Sequence, residues 1–212
     1  MDSLASTGSV ISEQQSAAYL ADGSLAVLLI MDDAVQSNLS LWVMNGSNVD
    51  VHNITPLTDL SADLRLAVGA DGTVMAAVLT ATGALHVHEL APNSTNWTSS
   101  SVPQPNGGLN QYNLDLVGGS SPMMAVRSDA ATASLYTRTN STTWTSFGSQ
   151  PDSNLEGAWD LVVMDDHYLL LTSTGPTNEL TWNTISKQAS LENTSPWSSL
   201  AFGYRSAGGQ TD

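Results

Sequence analysis

The side chains that could do chemistry here are few: four His, five Lys plus Arg, twenty Asp plus Glu, and six Trp in 212 residues. His86 and His88 stand two apart, so a strand would put both on one face. Two imidazoles on one face can hold zinc or copper. Glu89 falls on the opposite face and no third ligand accompanies them, so the pair reads as part of a solvated outer strand, with no metal and no cofactor. His167 follows Asp165-Asp166 in a turn and reads as exposed. Asp32-Asp33 and Asp165-Asp166 both fall at predicted turns, where Asp caps backbone amides. A glycosidase needs two carboxylates facing each other across a cleft. In a ring of repeats these would stand on neighbouring inner strands, and the aligned inner strands supply none. Calcium loops, phosphate cradles and nucleophile elbows are absent, and there is no Cys for thiolate chemistry. We expect no enzyme.

Six of the thirteen aromatic residues are Trp: Trp42, Trp97, Trp144, Trp159, Trp182 and Trp197. An indole face can stack on the C–H face of a sugar while nearby polar groups bond its hydroxyls. The competing use of a Trp is packing between repeats. Arg127 and Arg205 stand out in a chain with so few bases.

Charged residues are only 12% of the chain and the net charge is -15. Five basic residues cannot neutralise a run of phosphates, which excludes nucleic acid and anionic membranes as partners. No run of 18 apolar residues offers a membrane-crossing helix; the longest, Leu25 to Met31, has strand length. Met1-Asp2-Ser3-Leu4 carries no basic-then-apolar leader, and 207–212 reads as a polar C-terminal tail. Seven Asn-x-Ser/Thr sequons occur, at Asn38, Asn45, Asn53, Asn93, Asn96, Asn140 and Asn193. Most fall at expected turns or outer strands, where a glycan must sit. They point to a secreted or cell-surface glycoprotein.

The elements that position these residues are strands. Helical apolar stripes are absent, and apolar runs of four to seven residues recur between Gly, Asn, Asp and Ser. Four stretches share one layout: strand, tight turn, strand, loop, strand. Asp22-Gly23 and Asp71-Gly72 mark the turn in the first two. Taking Leu41, Leu85, Leu135 and Leu180 as equivalent, the period is about 45 residues. Asn96-Trp97-Thr98 and Thr143-Trp144-Thr145 announce a fourth strand in two units. This predicts an all-β chain, a β-propeller of about five four-stranded blades, with a β-sandwich as the competing fold. Residues 1–15 would close the ring, 16–206 would form the repeats, and Ala201 to Ser206 would open a fifth unit.

The module Gly83-x-Leu85-x-Val87 with Asn96-Trp97-Thr98, and Ser134-Leu135-Tyr136 with Thr143-Trp144-Thr145, resembles the fucose-specific lectin family of fungi. The resemblance spans about 16–206. It implies a propeller with sugar pockets between adjacent blades, each using an Arg, a Glu and an aromatic residue. Only Arg127 and Arg205 fall at the equivalent inner position, where the other units have Ile30, Leu79 and Thr172. No single module joins that Arg to a Glu, since Glu89 and Glu179 lie in other modules.

The expectation is an extracellular, non-catalytic, lectin-like domain. Its sugar contacts would be Arg127, Trp144 and Trp159, with Arg205 and Trp197 second. The alternative is an ectodomain that serves as a protein-interaction or sensor module. Partners would be glycans or a cell-surface protein, and two chains could complete each other's ring.

Overall fold

A computed structural model describes residues 9–32, 37–57, 61–80, 82–104, 113–129, 132–140, 142–151, 159–163, 167–174, 179–186 and 197–202. They form sixteen strands. β1 to β4 span Ser9–Tyr19, Leu25–Asp32, Ser37–Asn45 and Asn48–Leu57. β5 to β8 span Ser61–Val68, Val74–Thr80, Leu85–Leu90 and Thr98–Ser100. β9 to β12 span Asn113–Val117, Met123–Asp129, Thr132–Asn140 and Thr143–Pro151. β13 to β16 span Trp159–Val163, His167–Thr174, Glu179–Ser186 and Trp197–Phe202. Each group of four is its own antiparallel sheet, paired in chain order. The first strands of the sheets, β1, β5, β9 and β13, lie side by side in that order. These are four consecutive propeller blades.

The pieces expected in a fifth blade go elsewhere. Ser9 and Val10 belong to β1 and pair with Asp32 and Met31 of the same blade. Ala201 and Phe202 end β16, opposite Thr181 and Leu180. The tail at 207–212 lies outside the described residues.

The tight turns form as their residues dictate. Asp22 Oδ1 accepts from Ser24 N at 2.9 Å, and Asp71 Oδ1 accepts from Thr73 N at 3.0 Å. Gly23 and Gly72 follow with φ of 84° and 80°, in the left-handed region that suits glycine. Asp32, expected to cap a turn, ends β2 instead; Asp33 and Asp165-Asp166 lie outside the described residues.

Strand alternation then divides the core. In β6, Val74, Ala76 and Val78 pack toward blade one, beside Leu28, Ile30 and Leu41. Met75, Ala77 and Leu79 pack toward blade three, beside Leu114, Met124 and Tyr136. All seven residues of β6 are buried. A strand covered on both faces is apolar throughout, which is why β6 reads in the sequence as an unbroken run.

Neighbouring first strands are tied by side chains. Ser16 Oγ on β1 accepts from Leu66 N on β5, at 2.9 Å. Asp63 Oδ2 on β5 accepts from Leu114 N on β9, also at 2.9 Å. Asp115 Oδ2 on β9 accepts from Leu161 N on β13. One device therefore recurs at three successive junctions.

A candidate site at the junction of blades two and three

Glu89 is the centre of the site. It sits on β7 with its side chain turned toward blade three, opposite to His86, and is 2% exposed. A carboxylate so deeply buried must find donors. Ser100 Oγ donates to Oε1 at 2.8 Å and Trp144 Nε1 donates to the same oxygen at 3.0 Å. Arg138 on β11 donates to Oε2 from Nε at 3.0 Å and contacts it through Nη2 at 2.7 Å. Arg138 Nη1 reaches Asp71 Oδ2, in the tight turn of blade two, at 3.1 Å.

Backbone contacts hold the two blades in this register. Ser101 N donates to Thr142 O and Trp144 N donates to Ser101 O, both at 2.8 Å. Gly119 N donates to Val68 O at 2.9 Å. Gly118 permits that approach, because a Cβ there would lie 1.9 Å from Val68 O.

Electrostatics favour the charged forms of Arg138 and Asp71. Burial works against the charge of Arg138, but its hydrogen bonds to Glu89 and Asp71 outweigh it and raise its pKa. Asp71 loses some solvation, yet the Thr73 and Arg138 hydrogen bonds prevail and hold its carboxyl below the usual range. The Asp71 side chain is 55% exposed and that of Arg138 is 10% exposed. The network is therefore closed at Glu89 and open at Asp71. A guanidinium has five N–H donors, and three serve the contacts above. At the open edge a carboxylate acceptor and a cationic donor stand side by side.

Of the residues expected to touch a sugar, Trp144 joins this junction but is only 1% exposed. Its indole belongs to the core and fixes Glu89, so it offers no face for stacking. Arg127 lies on β10 opposite Asn113 and Ala133. Trp159 begins β13 and Trp197 begins β16. The side chains of these three lie outside the described set, as does all of Arg205. The sequence reading missed Arg138 and Glu89 as a pair because it sought both within one module. The available signal was Glu89 itself, a lone carboxylate beside Val87 and Leu90 in a buried strand, with few cations to satisfy it.

A second constellation corrects another expectation. Neighbouring first strands do carry two acids, Asp63 and Asp115. Arg65 contacts both, at 3.6 Å from Nε to Asp115 Oδ1 and more closely through Nη1 to Asp63 Oδ1. Burial pushes the Asp63 carboxyl up, against the opposing pull of Arg65 and the Leu114 and Leu64 amides. Both oxygens of each acid accept backbone amides: Leu64 and Leu114 at Asp63, Leu116 and Leu161 at Asp115. Carboxylates committed in this way act as clamps between strands.

His86 and His88 line a polar groove with Ser99, Ser101 and Gln104. His88 Nδ1 meets Ser99 Oγ at 3.3 Å. Among the described residues no group of three His, Asp or Glu side chains could hold a metal ion. Nor, among them, is any helix long and apolar enough to cross a membrane.

The described fold is that of a β-propeller, and solved structures agree. The SapL1 lectin, in complex with alpha methyl fucoside, superimposes with a TM-score of 0.61 at 11% identity, over 91% of this chain and 65% of that one. The Aleuria aurantia lectin, a six-bladed β-propeller, gives 0.55 at 11% identity, over 95% of this chain and 66% of that one. The Hadza microbial sialidase Hz136 gives 0.54 at 12% identity, over 88% of this chain and 44% of that one. The chain thus spans under two thirds of either lectin. No protein-family description matches the chain, and no curated protein sequence does.

Proposed function

We propose that this chain is a non-catalytic, lectin-like β-propeller domain that binds glycans outside the cell. The observation that supports the reading best is the open edge of the blade two–three junction, where exposed Asp71 stands 3.1 Å from Arg138 Nη1. Arg138 donates to a sugar hydroxyl and Asp71 accepts from one, the usual division of labour in polar recognition. Glu89 and Trp144 hold the guanidinium in place from behind. The likeness to two lectins supports the same reading and makes fucosylated glycans the first ligands to try. Arg127, Trp159, Arg205 and Trp197 remain proposed contacts at the other junctions.

The non-catalytic part of the proposal draws support from Asp63 and Asp115, whose oxygens are occupied by backbone amides. A sialidase shares the fold, so the hydrolase alternative has a direct assay. We expect no release of product from fluorogenic glycosides by the purified chain.

The experiment is calorimetric titration of the folded chain with fucosylated oligosaccharides. Asp71→Ala should weaken binding at least tenfold while the chain stays folded, the lost Thr73 and Arg138 hydrogen bonds costing about 1–3 kcal/mol of stability. Arg127→Ala tests the proposed contact on β10 in the same way. Unchanged affinity in either variant removes that residue from the site. A second reading, a protein-interaction module, draws on the closure of the network at Glu89, since a rivet between blades has no need of a sugar.

A further inference from the structure

The sequons are not scattered over the fold. Asn45 ends β3 and enters the turn to β4. Asn93 and Asn96 lie in the turn between β7 and β8. Asn140 ends β11 and enters the turn to β12. In each of these three blades, then, the hairpin joining the third and fourth strands carries an acceptor. In an up-and-down blade that hairpin is always on the same side of the disc and at its outer edge. All four Asn residues are exposed. Asn93 adopts φ of 61°, a turn conformation that Asn tolerates. Asn140 Oδ1 accepts from the amide of Thr142, the third residue of its own sequon, at 3.0 Å.

From this recurrence we infer that the outer third-to-fourth-strand turns form an N-glycosylation array along one rim of the propeller. The transferred group is an oligosaccharide carried on a polyprenol diphosphate. The Asn Nδ2 forms a bond to its anomeric carbon, the bond from that carbon to the diphosphate breaks, and Nδ2 gives up one proton. A turn presents its Asn to the transferase before and after folding, whereas a paired strand presents it only before. Asn38 and Asn53 are strand residues, paired with Pro56 and Ser40. Ser40, the third residue of the Asn38 sequon, is fully buried and donates to Asn53 Oδ1 at 2.8 Å. These two sites are therefore modified less fully than the turn sites. Glycans on the array also flank the outermost strands β4 and β8, whose edges, unpaired among the described residues, would otherwise template pairing between chains.

The inference rests on the extracellular part of the proposed function, but its test does not depend on sugar binding. The full chain, with a cleavable secretory leader, is expressed in a eukaryotic host and mapped by glycopeptide mass spectrometry before and after enzymatic deglycosylation. Translation with microsomes supplies the same map if secretion is poor. The expected result is occupancy at Asn45, at Asn140 and at one or both of Asn93 and Asn96, with Asn38 and Asn53 markedly less occupied. Each Asn→Gln change in a turn should remove one glycan mass. Bare turn sites, or occupancy at Asn38 and Asn53 equal to that in the turns, would overturn the array. A blank sugar titration on a protein that shows the array would remove the lectin reading alone.

Discussion

Glu89 carries a charge into a place that water does not reach. Two blades supply the donors that keep it there, so its partners should be coupled more strongly than surface ion pairs. Arg138→Met leaves that carboxylate uncompensated and should cost about 3–5 kcal/mol in urea unfolding, the usual penalty for breaking one side of a buried pair. Glu89→Gln combined with Arg138→Met should recover part of the loss. A double variant as unstable as the sum of the singles would mean the two residues do not interact. His88 gives a pH test. Burial, with a smaller contribution from the neighbouring charge of His86, lowers its pKa in the folded chain. The unfolded chain therefore binds the proton more readily, and stability rises with pH across that window. The contribution is complete above the ordinary His value and is lost as pH falls through the folded one. The melting temperature should be lower at pH 5.5 than at pH 7.5, and His88→Asn should narrow that difference. Asp63, with its pKa raised, works in the opposite sense at lower pH, losing stability as pH rises through its titration.

At the scale of elements, much of the fold was legible. Asp22-Gly23 and Asp71-Gly72 announced their turns because Asp caps the amide two residues on and Gly takes the positive φ. Trp97-Thr98 and Trp144-Thr145 located the entries to β8 and β12, and Trp197-Ser198 marks β16 in the same fashion. Trp197 reads in the sequence only as a sugar contact, and Ala201-Phe202, which end the same strand, read as opening a fifth unit. β4 went unread because Asn48–Leu57 mixes polar and apolar residues on a half-exposed outer strand. Contacts between blades left no mark in spacing, since Glu89 and Arg138 meet 49 residues apart. Gly118 is the sharpest element-scale test. Gly118→Ala would drive a methyl into the Val68 carbonyl and should destabilise the fold by at least about 1–3 kcal/mol, the usual cost of overpacking. Blade faces provide another contrast. Leu28, fully buried between blades one and two, should cost about 2–5 kcal/mol as Leu28→Ala. Tyr19, 74% exposed at the end of β1, should cost under about 0.5 kcal/mol as Tyr19→Ser, judged by the same urea midpoints.

At the scale of the whole molecule, the described residues form a run of four blades. Four of six is two thirds, close to the 66% of the six-bladed lectin that the chain covers. Blade two is covered on both faces and β6 is buried throughout, whereas β2 of blade one keeps Leu25, Val27 and Met31 half-buried. A net charge of -15 repels phosphate-rich surfaces and does not oppose the approach of an uncharged ligand. Sugar recognition is the central claim, and it turns on the open edge at Asp71 and Arg138. The measurement that tests it most directly is a glycan-array screen of the folded chain, with calorimetry of any hit on the native protein and on Asp71→Ala. The account predicts saturable binding to a defined glycan set that Asp71→Ala weakens while circular dichroism stays unchanged. A blank array from chain shown to be folded would contradict it and leave the interaction-module reading in its place.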